Sequence, residues 1–167
     1  MEITTAMIKE LRDLTGAGVM EAKRALEKAG GDMKRATEVI REEGAMHAAK
    51  RADRETKNGV VDSYIHANGR IGVLVELNCE TDFVANTEDF RTLARNIAMQ
   101  IAAMAPLTIS PEDRTPEMEG PDDEVALLSQ AWIKDPGRNV GDLIKEVVAK
   151  TRENVVVSRF VRYELGR

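Results

Sequence analysis

Little in this chain could make or break a covalent bond. It has one cysteine, Cys79, two histidines, His47 and His66, and 29 carboxylates scattered along 167 residues. No Cys/His cluster shows metal-ligand spacing, and no glycine-rich stretch carries the Lys-Ser/Thr pair of a phosphate loop. Thr15-Gly16-Ala17-Gly18 lacks that pair and follows a helical pattern, so it reads as a helix–helix turn. His47 has no ligand types near it, and no carboxylate couple marks a general acid and base. Cys79 alternates with Val73, Val75 and Leu77, which makes it a small core residue rather than a nucleophile. No metal and no cofactor is expected. What remains is recognition, and the chain reads as a binding protein rather than an enzyme.

The stretch best suited to recognition is Asn78-Cys79-Glu80-Thr81-Asp82-Phe83-Val84-Ala85-Asn86. Before it, Ile71–Leu77 is apolar at every odd position and rich in β-branched residues, which predicts a half-buried strand. After it, Phe90, Leu93, Ala94, Ile97, Ala98, Ile101 and Ala102 recur at helical spacing up to Pro106. Asn86 or Thr87 can cap that helix, with Asp89 favourable in its first turn. Thr81-Asp82-Phe83-Val84 is therefore a tight corner between a strand and a long helix. Phe83 has two possible jobs there. It folds back into the core, as large apolar side chains mostly do, or it stands out as a rigid apolar tip that enters another protein.

Composition bounds the partner. Apolar residues at 43% and charged residues at 32% describe a globular chain of one or two small domains. The net charge of −5 argues against a direct nucleic-acid binder, whose affinity rests on neutralising phosphates. A single cysteine excludes an intrachain disulfide and fits a reducing compartment. No apolar run reaches the length of a membrane span, and Met1-Glu2-Ile3-Thr4 opens no signal peptide. A cytoplasmic protein is expected, with no membrane among its partners.

The elements that must position the corner follow in order. Thr4 or Thr5 caps a first helix with Met7, Ile8, Leu11 and Leu14 on one stripe. A second runs from Val19 to about Ala29, and Asp32 caps a third that Gly44 ends. One of Val19 and Met20 can face inward while the other lies near the surface, as core filler or as a tolerant contact. These residues, 1–44, predict a three-helix module, and the alanine-rich, basic 45–58 predicts an exposed connecting helix. An α+β core follows over 59–167. Val60–His66 and Ile71–Cys79 flank Asn68-Gly69, a strong hairpin signal. The acidic, proline-bearing 106–124 reads as an exposed loop. Val125, Leu128 and Trp132 suggest a short helix, Ile133–Arg138 a turn, and Val140–Val148 a helical stripe. Val155–Leu165 completes a small antiparallel sheet of three strands covered by helices.

Three motifs then point to one family. Leu14-Thr15-Gly16-Ala17-Gly18-Val19-Met20-Glu21-Ala22-Lys23, with Gly31-Asp32 after it, resembles the N-terminal signature of translation elongation factor Ts. Asn78–Ala85 is similar to its second signature. Ile133–Pro136, Val140–Leu143 and Arg159–Glu164 are similar to the C-terminal part of its core. The resemblance covers nearly the whole chain in order. It implies guanine-nucleotide exchange on elongation factor Tu, bound both with GDP and without nucleotide. It also implies that Thr81, Asp82, Phe83 and Val84 meet the GTPase near its magnesium and phosphate loop. By the same matching Val19 and Met20 belong to the N-terminal module's contact, and His66 to a hairpin that meets another part of the partner. The family's N-terminal module is similar to ubiquitin-associated domains, which fits the three helices.

Longer members of that family carry two core repeats and a helical insertion, whereas this chain has room for one core. It resembles the short form, in which two chains pair, so a homodimer through the core sheet is expected. The competing reading is a ubiquitin-associated-type interaction module fused to an unrelated α+β domain. That reading leaves the strand–corner–helix without a purpose.

Overall fold

The computed structural model describes residues 2–167. Three helices come first, α1 (Thr5–Thr15), α2 (Val19–Lys28) and α3 (Met33–Arg51). Strands β1 (Asn58–His66) and β2 (Ile71–Cys79) follow, then the one-turn α4 (Asp82–Ala85) and the long α5 (Glu88–Met104). The rest comprises α6 (Asp122–Val125), a small hairpin of β3 (Ala131–Trp132) and β4 (Asp135–Asn139), α7 (Val140–Thr151) and β5 (Val156–Glu164). The fold is α+β, as the sequence predicts.

Local chemistry sets the helix ends. Thr4 Oγ accepts the Met7 N–H at 3.3 Å, and Asp32 Oδ1 accepts the Arg35 N–H at 3.0 Å. Gly16 stops α1 in the left-handed region at φ +71°. Leu11, Ala22, Ala25, Leu26, Ala36 and Ile40 are buried between the three helices. So small a core supplies little net stability by itself.

The expected helix end at Gly44 is absent, because Gly44 is buried in the middle of α3 against α7. A Cβ built there would lie 3.7 Å from that of Ala149. That packing carries the helix through the glycine despite its poor intrinsic propensity, and a methyl there would meet α7 only at ordinary contact distance. The helix expected over 45–58 is thus the tail of α3, and Asn58 already belongs to β1.

β2 is the centre of an antiparallel sheet in the order β1-β2-β5. The β1–β2 turn has Asn68 and Gly69 both at positive φ (+61° and +73°), closed by Arg70 N–H to the Ala67 carbonyl at 3.4 Å. One face buries Val73, Val75, Leu77, Cys79 and Val157 against α5 and α7. The other face is open. It presents Val61, Ile65, Leu74, Val161 and Tyr163, with Leu74 paired to Val161 and 50% exposed.

A bulge builds that open face. The β2–β5 register shifts between Glu76 and Leu77, which pair with Arg159 and Val157. Residues after Ser158 therefore swap sides, so the odd-numbered apolar positions of β5 do not form one stripe. Val157 enters the core, whereas Val161 and Tyr163 face out.

The segment after α5 is more ordered than an exposed loop suggests. Arg114, its one cation, donates to the Met118 and Gly120 carbonyls at 2.8 and 2.7 Å and pairs with Asp122. The short helix expected through Val125, Leu128 and Trp132 stops at Val125. Leu127 and Leu128 donate instead to the Thr108 and Ile109 carbonyls, and Trp132 lies in β3. Local helical bonding continues only as a single 3-10 turn over Leu127–Ser129, alongside the tertiary pairing, and Ile133–Arg138, read as a turn, includes most of β4.

Candidate functional site

Thr81 closes β2 and opens α4. Its extended backbone (φ −127°, ψ 155°) suits an N-cap, and its hydroxyl accepts the Val84 N–H at 3.3 Å. Asn86 ends the turn, with its side-chain amide donating to the Asp82 carbonyl at 2.9 Å. Thr87 then caps α5 through Phe90 N–H, with Glu88 and Asp89 in the first turn. The four residues of α4 divide cleanly. Val84 and Ala85 are buried in the main core, while Asp82 and Phe83 point to solvent.

Phe83 is 79% exposed. That excludes the first of the two jobs open to it, packing back into its own core. It is an apolar ring on a short turn whose other face is nailed into the protein.

The α1–α2 turn lies near this corner. A Cβ on Gly16 would come 2.5 Å from Lys150 Cε, and Lys150 Nζ reaches Asp89 at 3.9 Å in the first turn of α5. Val19 and Met20, just after the turn, are 51% and 66% exposed. Neither faces inward, contrary to the expectation that one would. Leu14, expected on the buried stripe of α1, is exposed as well. Three apolar side chains thus flank one glycine turn without burying themselves.

His66 is exposed, with Nδ1 3.1 Å from the Tyr64 hydroxyl and the two rings stacked at 5.9 Å. It does not join the corner. His66 pairs with Ile71 at one end of β1, and Asn58 pairs with Cys79 at the other. At about 3.3 Å per residue the strand sets them roughly 26 Å apart.

Two residues beneath the corner, Glu153 and Asn154, escaped sequence reasoning. Glu153, just past α7, accepts the Glu80 and Thr81 N–H groups at 3.1 and 3.0 Å and the Thr81 hydroxyl at 2.6 Å. Glu80 in turn accepts the Asn154 N–H at 2.8 Å, and buried Asn154 donates to the Ala52 and Arg54 carbonyls at 3.1 and 2.9 Å. A separation of more than 70 residues leaves no local signal for such bonds.

Cys79 completes the base, donating from Sγ to the Thr81 carbonyl at 3.1 Å. Burial, and after it the Glu153 and Asp82 charges, push its thiol above the ordinary range. A buried, protonated thiol is a poor nucleophile. Among the described residues no group of acidic, Cys or His side chains could hold a metal ion, and no helix is long and apolar enough to cross a membrane.

Known proteins place this architecture. The family model described as Elongation factor TS matches residues 2–119. An elongation factor Ts from Thermotoga petrophila is 46% identical over 194 aligned residues, covering 99% of this chain and 98% of the relative. Those from Rubrobacter xylanophilus and Desulforamulus reducens are 46% and 47% identical, covering 95% and 99% of this chain and 96% and 90% of the relatives. With its signature corner, its glycine turn and its sheet all inside an alignment of nearly full length, the chain belongs to the elongation factor Ts family.

Proposed function

We propose that this chain promotes GDP release from elongation factor Tu, the exchange activity its family membership implies, by inserting Asp82 and Phe83 near the GTPase's magnesium and phosphate loop. The observation that carries this reading is the exposure of Phe83 on a corner whose neighbours Val84 and Ala85 are buried. A large ring left in water on a stiff support is stabilised by entering a pocket elsewhere. Val19 and Met20 supply a second apolar contact from the N-terminal module, and His66 a third from the far end of the sheet.

The chain does this without making or breaking a bond. It binds nucleotide-free GTPase more tightly than the GDP complex, and by reciprocity GTP binding then releases it. The buried Cys79 supports a non-enzymatic role, as no activated nucleophile stands at the corner.

Two chains pair through the open faces of their sheets. Val61, Ile65, Leu74, Val161 and Tyr163 form an apolar surface that a second sheet covers at the usual sandwich spacing of about 10 Å. The test of the function is release of a fluorescent GDP analogue from elongation factor Tu, with and without the chain. Catalytic amounts accelerate release; an unchanged rate refutes the assignment.

A further inference from the structure

Phe83 makes demands that its own helix cannot meet. A single turn of four residues is far below the length at which a helix holds itself together. The ring is also too exposed to be fixed by packing. Val84 and Ala85 anchor the far side of the turn in the core, the backbone of residues 80–82 sets how the chain enters it, and one side chain gathers the free donors of that backbone. Glu153 places Oε2 on both the Glu80 and Thr81 N–H groups and Oε1 on the Thr81 hydroxyl.

Glu153 is itself held in place. α7 ends in a left-handed residue, Arg152 at φ +60°, and the Glu153 N–H meets Thr151 Oγ at 3.4 Å. The side chain leaves the helix end facing the corner. The Thr81 hydroxyl then does two jobs, donating to Glu153 and accepting from Val84 N–H. The carboxylate thereby orients the cap that orients the turn.

We infer that Glu153 is a positioning residue for exchange: it acts through Thr81 and fixes Phe83 in the geometry that enters the partner. This rests on the exchange reading above and adds a residue to it. Thr81 is exposed, so water can replace the carboxylate at the freed donors and the fold survives its loss. What is lost is the pre-organisation of the ring, which must then be ordered at the moment of binding.

The test is a double-mutant cycle read by release of a fluorescent GDP analogue from elongation factor Tu, on the full chain. Glu153→Ala lowers exchange about tenfold, the scale of one charge-assisted hydrogen bond, and Glu153→Gln, which keeps one acceptor oxygen, about threefold. In a Phe83→Ala background Glu153→Ala costs less than about twofold, because there is no ring left to place. Parental exchange in Glu153→Ala overturns the inference while leaving the exchange reading intact. Equal costs in both backgrounds, or the failure of both variants to fold at the assay temperature, also overturn it by making the carboxylate a support of the fold at large. Parental exchange in Phe83→Ala alone refutes the prong reading, and this inference with it.

Discussion

Truncating the exposed ring separates a contact residue from a core residue by two measurements that move in opposite ways. Fully burying a phenylalanine side chain is worth about 1.5–3 kcal/mol. With 79% of Phe83 still exposed, roughly four-fifths of that, about 1.2–2.4 kcal/mol, remains for a partner to collect. At about 1.4 kcal/mol per decade, Phe83→Ala slows GDP release from elongation factor Tu roughly 7- to 50-fold at subsaturating chain. The same truncation removes little from the isolated fold. Surface changes cost within about 0.5 kcal/mol, so Tm moves by no more than about 2 °C for a chain of this size. Phe90, seven positions on and fully buried, is the control. Phe90→Ala costs about 3–5 kcal/mol and lowers Tm by on the order of 10 °C. Stopped-flow release and a thermal melt on the two variants decide the matter. If Phe83→Ala melts like Phe90→Ala, or exchanges like the parent, the prong argument is wrong.

Three further outcomes follow from the geometry. Leu74→Glu puts a charge in the middle of the open sheet face, where the monomer tolerates it, so sedimentation should show the dimer mass halved with folding intact; an unchanged mass excludes pairing through this face. Cys79 titrates higher folded than unfolded, so its contribution is fully present below the unfolded thiol pKa of about 8.5 and is lost as pH rises beyond it towards the folded value. The Tm advantage of the parent over Cys79→Ala should therefore shrink between pH 8 and 10, and a constant gap contradicts the assignment. Gly44→Ala places a methyl at ordinary contact distance, 3.7 Å from Ala149 Cβ, and gains helix propensity; Tm should rise by about 2–4 °C, and a fall would mean the α3–α7 crossing is tighter than it looks.

The sequence made the corner legible because two periodicities meet there. Alternation through Leu77 and helical spacing from Phe90 leave few residues to turn between them, and Phe83 interrupts neither pattern. Whether it faces in or out was not legible, since that depends on what already fills the core below. The readings that miss share one physical cause. Gly44 is a stop signal by local rules, but it is spoken for by Ala149 more than 100 residues later. The bulge at Ser158 moves Val161 and Tyr163 to the open face, and only the pairing with β2 reveals it. Leu14 completes a helical stripe on paper yet finds no partner in so small a module. Glu153 looks like any surface carboxylate until the chain has folded back on itself.

The arithmetic of exchange explains why the corner cannot act alone. Reversing a 1:99 population to 99:1 takes about 5.5 kcal/mol of differential affinity, more than twice what Phe83 can supply. The remainder must come from contacts elsewhere on the same rigid body. The fold provides for this: Lys150 spans from the Gly16 turn to Asp89 beside the corner, and β1 carries His66 to the far end of the sheet. A flexible prong would spend part of its binding energy on becoming ordered. On the proposed reading, bracing it through Glu153 while gripping the GTPase at distant points lets the module, the corner and the hairpin add their contributions. Each contact can then stay weak enough that GTP displaces the whole.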